Sequence, residues 1–191
     1  MSKGMLVILS APSGTGKDTV FQELSKRRKD IIESISATTR NPRKGEAHGV
    51  NYYFKTPEEF QEMIDHNDFL EYACYNDCYY GTPAGPALEA IENGKICFLI
   101  IERKGAQKVM KNYPDAVSIF LMPPSIEILE LRLKKRNTDT DDQIKNRLEI
   151  AKEEMADTSN FDYVVFNNEL DKAVDDINTI LEAELQKRNQ K

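Results

Sequence analysis

"MLVILSAPSGTGKDT", residues 5–19, joins a short apolar run to a glycine-bearing turn and then to residues that suit a helix. Met5 to Ser10 has the near-continuous apolar character of a parallel strand buried on both faces. The turn follows the spacing of a phosphate-binding loop: Gly, four residues, Gly, Lys, then Ser or Thr. Two positions depart from it, Ala11 at the first glycine and Asp18 at the hydroxyl. Glycines in such a loop let backbone N–H groups face phosphate oxygens, and the helix that follows adds its positive N-terminal end. Lys17 then reaches the outer phosphates as a point charge. Ala11, Pro12, Ser13, Gly14, Thr15, Gly16, Lys17, Asp18 and Thr19 are therefore the expected ATP-binding loop. Ala11 is a mild change, needing only a backbone conformation open to a residue with a Cβ. Asp18 is the larger one, because a carboxylate repels a triphosphate unless a cation lies between them. Magnesium takes hard oxygen ligands, directly or through water, so Asp18 is the expected metal ligand. Thr19, one step along the helix, points about 100° away.

Outward from this loop, apolar strands alternate with helices. A helix is predicted from Lys17 to Arg28. "KICFLII" (95–101), "AVSIFLM" (116–122) and "DYVVF" (162–166) read as further buried strands. Helices follow them: one through Val109, one rich in Leu and Arg after Pro123-Pro124-Ser125, and a charged one through Met155. Thr140 and Gln143 form a capping box for the charged helix, and the tail from Glu169 is amphipathic. The pattern is that of an α/β protein with a parallel sheet covered on both faces. Residues 34–93 break the alternation with polar, aromatic segments and read as an insert. In that region "VNYYFK" (50–55) and "FLEYACY" (69–75) are strand-like. Thr56, Pro57 and Glu59 open a helix to about His66, and Thr82-Pro83 starts another that Gly94 ends.

The 191 residues suffice for one good-sized domain with a real core. The net charge of −6 argues against nucleic acid as a partner, since phosphate-backbone binding needs a basic field. A small anionic ligand needs only a local cluster of bases. Cys74, Cys78 and Cys97 are an odd set that favours free thiols in a reducing cytoplasm, and no further Cys or His pair completes a metal site. No apolar run reaches membrane-span length, and the run at the N-terminus is too short for a signal peptide and leads directly into the loop.

"SISATTRNPRKGE" (34–46) extends the reading. Together with the loop, and with "YYGTP" (79–83), "IFLMPPS" (119–125), "RLEIAKEEM" (147–155) and "DYVVFNNELDKA" (162–173), it resembles the guanylate kinase family over nearly the whole chain. The resemblance implies a three-layer P-loop kinase fold over residues 3–187. Its five-stranded parallel core would take in 3–33, 94–131 and 156–187, with a nucleoside-monophosphate-binding insert at 34–93 and a small helical lid at 132–155. It implies transfer of the terminal phosphoryl of ATP to GMP or dGMP, with Mg2+ as cofactor, in a cytoplasmic monomer or homodimer. Ser36, Arg40, Arg43, Tyr52, Glu71, Tyr80, Gly81 and Thr82 match the family's GMP-binding region, and Glu102 matches an Asp on the base-binding side. Two arginines can fork onto a monophosphate, and an acceptor-only carboxylate suits the two N–H donors of guanine. Arg136 and Arg147 match lid arginines that close over the transferring group, and Asn167 and Asn168 match a loop against adenine. Lys17, Arg40, Arg43, Arg136 and Arg147 are the expected catalytic set.

Two departures stand out at the end of the middle strand. Where the family carries Asp-x-Asp, then an aromatic or aliphatic residue, Gln and Gly, this chain reads Ile100, Ile101, Glu102, Arg103, Lys104, Gly105. An acid is absent at position 100 and one is present at position 18, as if the acid serving the metal had moved onto the first helix. Two other readings stand beside the kinase: a catalytically silent domain that binds a protein partner, and a kinase for another small phosphate ester. The silent reading sits poorly with the retained Lys17 and arginines.

Overall fold

A computed structural model describes residues 4–75, 77–136 and 140–190, with the side chains of Tyr75 and Arg136 outside that description. The core is a five-stranded parallel sheet in the order β2 (Ile31–Glu33), β7 (Ile96–Ile100), β1 (Met5–Ser10), β8 (Val117–Met122), β9 (Tyr163–Phe166). Met5, Val7 and Leu9 of β1 face the helices α1 (Lys17–Arg27) and α7 (Leu170–Asn189), whose Val20, Leu24, Val174 and Ile177 fill that layer. Leu6 and Ile8 face the other way, toward α3 (Ala84–Glu92) and α4 (Arg103–Asn112). Burial on both faces is the reason β1 could not alternate polar with apolar residues.

The insert is a second sheet of four strands, ordered β4 (Tyr53–Phe54), β3 (Ala37–Thr38), β6 (Cys78–Pro83), β5 (Phe69–Tyr75), with α2 (Pro57–Asp65) beside it. The capping box of α2 is formed on both arms: Thr56 Oγ1 accepts from the Glu59 amide at 3.1 Å, and Glu59 Oε2 from the Thr56 amide at 2.9 Å. Three details differ from the sequence reading. Residues 78–83 form a strand antiparallel to β5, so the helix read from Thr82-Pro83 begins at Ala84. Ala37–Thr38 is a strand that the sequence reading does not single out, and only Tyr53–Phe54 of "VNYYFK" is a strand, parallel to it. Such short strands exist because a partner completes their hydrogen bonds, which local composition does not reveal.

The α5 (Ile126–Arg136) and α6 (Asp141–Ala156) pair carries a small apolar cluster of its own, Leu129, Leu133, Ile144, Leu148 and Ala151. Thr140 and Gln143 form the predicted capping box of α6. The three cysteines are free thiols, and burial pushes the Cys97 thiol up to about 12. No helix among the described residues is long and apolar enough to cross a membrane.

Candidate active site

The phosphate loop hangs between the C-terminal end of β1 and α1. Gly14 and Gly16 both take positive φ, +90° and +104°, the region open to glycine. Ala11 is not among the positive-φ residues, which explains why alanine serves where the pattern has glycine. A Cβ on Gly14 would come within 2.9 Å of Leu133 Cδ2, so the loop is packed directly under α5. Gly16 caps α1 without a side-chain hydrogen bond, leaving the first amides of the helix free for an anion. Lys17 folds back, its Nζ donating to the Ala11 carbonyl at 2.9 Å. The Thr15 hydroxyl is fully buried in the loop, with no hydrogen-bond partner among the described residues.

Three elements converge on this loop. Arg132 of α5 donates to the Thr15 carbonyl at 2.8 Å, and Asn167 Nδ2, after β9, donates to the same oxygen at 2.9 Å. Arg147 of α6 donates to Ser13 Oγ at 3.3 Å. A cavity of about 350 Å³ opens among Gly14, Gly16, Thr19, Arg132, Asn167 and Asn168. Arg136 ends α5, but its side chain lies outside the described residues. Arg132 escaped the sequence reading, since its position one turn before Arg136 resembles any solvated helix arginine.

A second cluster lies on the insert. Arg40 forks onto Glu46 at 2.9 and 3.0 Å, and Glu46 also accepts the Arg43 amide at 2.7 Å. The Arg40 guanidinium lies 5.4 Å from the centre of the Tyr52 ring, which meets Tyr80 edge-on at 6.1 Å. The Arg40 guanidinium holds the Glu46 carboxyl below the usual carboxylate range. Burial raises the Tyr52 phenol and keeps it a donor, although the Arg40 charge pulls the other way. Glu46 was not singled out from the sequence; its acid three residues after Arg43 was the available signal. Ser36 contributes its carbonyl to the Tyr53 amide at 2.8 Å.

The third cluster centres on Glu71. Thr82 Oγ1 donates to Glu71 Oε1 at 3.0 Å, across the β5–β6 pair that sets Glu71 opposite Thr82. The other oxygen lies against Gly105, where a Cβ would come within 2.8 Å of Oε2. Burial pushes the Glu71 carboxyl above its ordinary value, while the Thr82 bond and the Lys108 charge pull it down. Lys108 itself donates to the Tyr72 carbonyl at 2.6 Å, tying α4 to β5. Gly81 is buried where a Cβ would come within 2.9 Å of Phe69 and Tyr72. Glu102, expected on the base-binding side, turns its carboxylate toward Lys17, 3.8 Å away.

At the expected metal position, Asp18 is exposed on the first turn of α1. Glu33, exposed at the end of β2, has its carboxyl raised by partial desolvation and then by the charge of Asp18, so the two acids share one region. Ile100 packs against the apolar layer of α1 and α7. Among the described residues no group of three or more His, Cys, Asp or Glu side chains could hold a metal ion by itself.

A family model described as Guanylate kinase matches residues 3–184. A curated relative from Carboxydothermus hydrogenoformans, named guanylate kinase, is 48% identical over 184 residues, covering 96% of this chain and 90% of the relative. One of the same name from Halalkalibacterium halodurans is 48% identical over 186 residues, covering 97% and 91%. The crystal structure of guanylate kinase from Anaplasma phagocytophilum matches with a TM-score of 0.76 at 33% identity, covering 97% of this chain and 88% of that one.

Proposed function

The chain belongs to the guanylate kinase family, and from that premise we propose how its residues divide the work of an ATP:GMP phosphotransferase. The reaction moves the terminal phosphoryl of ATP to GMP and yields ADP and GDP. The silent protein-binding reading and the other-ester reading lose ground to the two curated relatives above, both named for this enzyme.

Residues 34–93 are the proposed GMP-binding insert and 132–155 the proposed lid. Glu71 accepts the two guanine N–H groups, with Ser36 and Thr82 near its carbonyl. Arg40, Arg43, Tyr52 and Tyr80 hold the monophosphate, and Glu46 keeps Arg40 in its fork until the phosphate takes that place. The loop amides from Ser13 to Thr19 and Lys17 hold the ATP phosphates, and Asn167 and Asn168 border the adenine. Arg136 and Arg147, with Arg132, neutralise charge on the transferring group, since phosphoryl transfer is mostly positioning and electrostatic stabilisation. The observation that carries this reading is Arg147, reaching from α6 to Ser13 of the phosphate loop at 3.3 Å. ADP release with GMP, dGMP, AMP and UMP as acceptors tests it; only the guanine nucleotides should support fast release.

The residues fit a magnesium ion. Asp18 and Glu33 place like charges in one region, a repulsion that a divalent cation relieves. With no third acid clustered there among the described residues, the rest of the shell would fall to phosphate oxygens and water, which is how magnesium is usually held. When bound, the ion draws charge from the phosphates. Asp18 is the proposed direct or water-mediated ligand, with Glu33 close enough to feel its charge. A unit charge pair at about 4 Å and an effective dielectric near 20 is worth roughly 4 kcal/mol, reduced here by the exposure of Asp18. Asp18→Ser should therefore raise the magnesium needed for half-maximal rate by on the order of tenfold and leave the KM for GMP near normal. Calorimetry of ATP binding at stepped magnesium should show the same shift, and Ile100→Asp should restore part of it. Unchanged magnesium dependence on both readouts would remove Asp18 from the metal.

Gly105 gives a further check on the base pocket. Gly105→Ala places a methyl within 2.8 Å of Glu71 Oε2 and 3.1 Å of its Cδ, so the carboxylate must shift. The KM for GMP should rise about tenfold with the KM for ATP unchanged. An unaltered GMP KM would mean that Glu71 does not need its present position.

A further inference from the structure

We propose that Arg103 is a latch that fixes the C-terminal end of α6 to the core, and so sets the pivot from which Arg147 is delivered to the phosphate loop. The inference rests on the reading of Arg147 as a transfer-site arginine. Arg103 is the first residue of α4, three positions after the end of β7 at Ile100. A cation there opposes the dipole of its own helix, which favours negative charge in the first turn. The helix has no acid in that turn to offset it. By local rules the residue is misplaced, and its partners lie elsewhere. Its Nη1 donates to the Glu153 and Glu154 carbonyls, both at 3.3 Å, and its Nη2 to Asp157 Oδ2 at 3.1 Å. Only 15% of the Arg103 side chain is exposed.

From the side of α6 the same contact meets a need. The last four carbonyls of a helix have no intrahelical partner, and Glu153 and Glu154 are among them. The helix has no basic residue in its last turn, and Asp157, at its end, puts a negative charge at the negative pole. Arg103 covers two of the carbonyls and balances that acid. The aromatic or aliphatic residue of the family pattern at this position can do neither. A planar fork with several donors suits this task better than an ammonium. Arg147 lies seven residues, about two turns or roughly 10 Å, from Glu154 along a helix braced by Leu148 and Ala151. Play at the anchored end is therefore carried to Arg147, and small misplacements of a charge-stabilising group are costly to the rate. The charges of Glu102, Lys17 and Arg103 also act on the Glu154 carboxyl, so the anchor and the loop share one electrostatic neighbourhood.

The test is hydrogen exchange of the whole protein read beside steady-state kinetics. In Arg103→Met, amides over 150–157 should exchange about tenfold faster, while those of β1, β7 and β8 keep their protection. Turnover should fall about tenfold with the KM for GMP within about twofold, because the side-chain hydrogen bonds of Arg103 among the described residues go to the end of α6 and to Asp157. Arg103→Lys, with charge but no fork, should fall between. Asp157→Asn, which takes the charge from one arm of the contact, should shift both readouts the same way by less, and carries the test should Arg103→Met fail to fold. Parent-like exchange over 150–157 together with parent-like kcat in these variants overturns the latch. So does faster exchange spread evenly over the chain, which marks a general loss of stability. A parent protein without GMP-dependent ADP release would overturn the functional reading instead, leaving the exchange result to judge the anchor alone.

Discussion

Glu71→Gln should lower kcat/KM for GMP by at least about two orders of magnitude and collapse the preference for GMP over AMP, which in the parent should be on the order of 10⁴. The carboxylate is acceptor-only, and its Oε1 already takes one hydrogen bond from Thr82. Guanine presents two N–H donors on the edge that Glu71 would read, whereas adenine presents an acceptor beside an amine. A carboxamide of the same shape keeps the Thr82 bond on its oxygen and turns its NH₂ toward guanine, donor against donor. A site that leaves buried polar groups unpaired discriminates far better than one that only fits a shape. The same carboxylate gives the pH dependence a sign. Only the ionised form accepts both bonds, and burial has raised its pKa above the ordinary carboxylate value. Use of GMP should therefore fall as pH drops through that raised value, and Lys108→Met, which removes a lowering charge, should move the fall to higher pH. A GMP-to-AMP ratio that survives Glu71→Gln would sink the assignment.

Arg147→Ala should reduce kcat by about 10²- to 10³-fold while the KM values for ATP and GMP change only a few-fold. The half-buried guanidinium stands over the loop that holds Lys17, reaching Ser13 at 3.3 Å. Charge spreads onto the oxygens of the transferring group as the bond to the leaving phosphate breaks, so a cation held there acts mainly in the transition state. An effect on kcat without one on KM is the signature of such a group. Arg147→Lys keeps the charge and loses the fork, so it should recover part of the rate. Thermal stability should barely move in either variant, because Ile144, Leu148 and Ala151 make the contacts that hold α6 to α5. A kcat within about threefold of the parent in Arg147→Ala would return Arg147 to the solvated face of its helix.

What could be read from the chain follows the range of the interactions concerned. The strands β1, β7 and β8 are legible because burial on both faces demands an unbroken apolar run. The caps Thr56–Glu59 and Thr140–Gln143 are legible because both partners lie three residues apart. The strand–loop–helix start is legible because Gly14, Gly16 and Lys17 sit at spacings set by backbone geometry alone. β3 and β6 were not, since each is a strand only through its neighbours in the insert sheet.

The sequence by itself determined the α/β order, the phosphate loop and, through the order of its motifs, the family. Only the tertiary structure decided the partners across distance. It set Thr82 on one oxygen of Glu71 and Gly105 against the other, turned Glu102 toward Lys17, and set Glu33 beside Asp18. It also took Arg103, a cation at the wrong end of its own helix, and joined it to carbonyls 50 and 51 residues away. The reason is physical: spacing encodes contacts within a turn or along a strand, whereas a side chain's charge environment is the sum of whatever elements pack around it. That sum exists only once the sheet, the insert and α6 have come together.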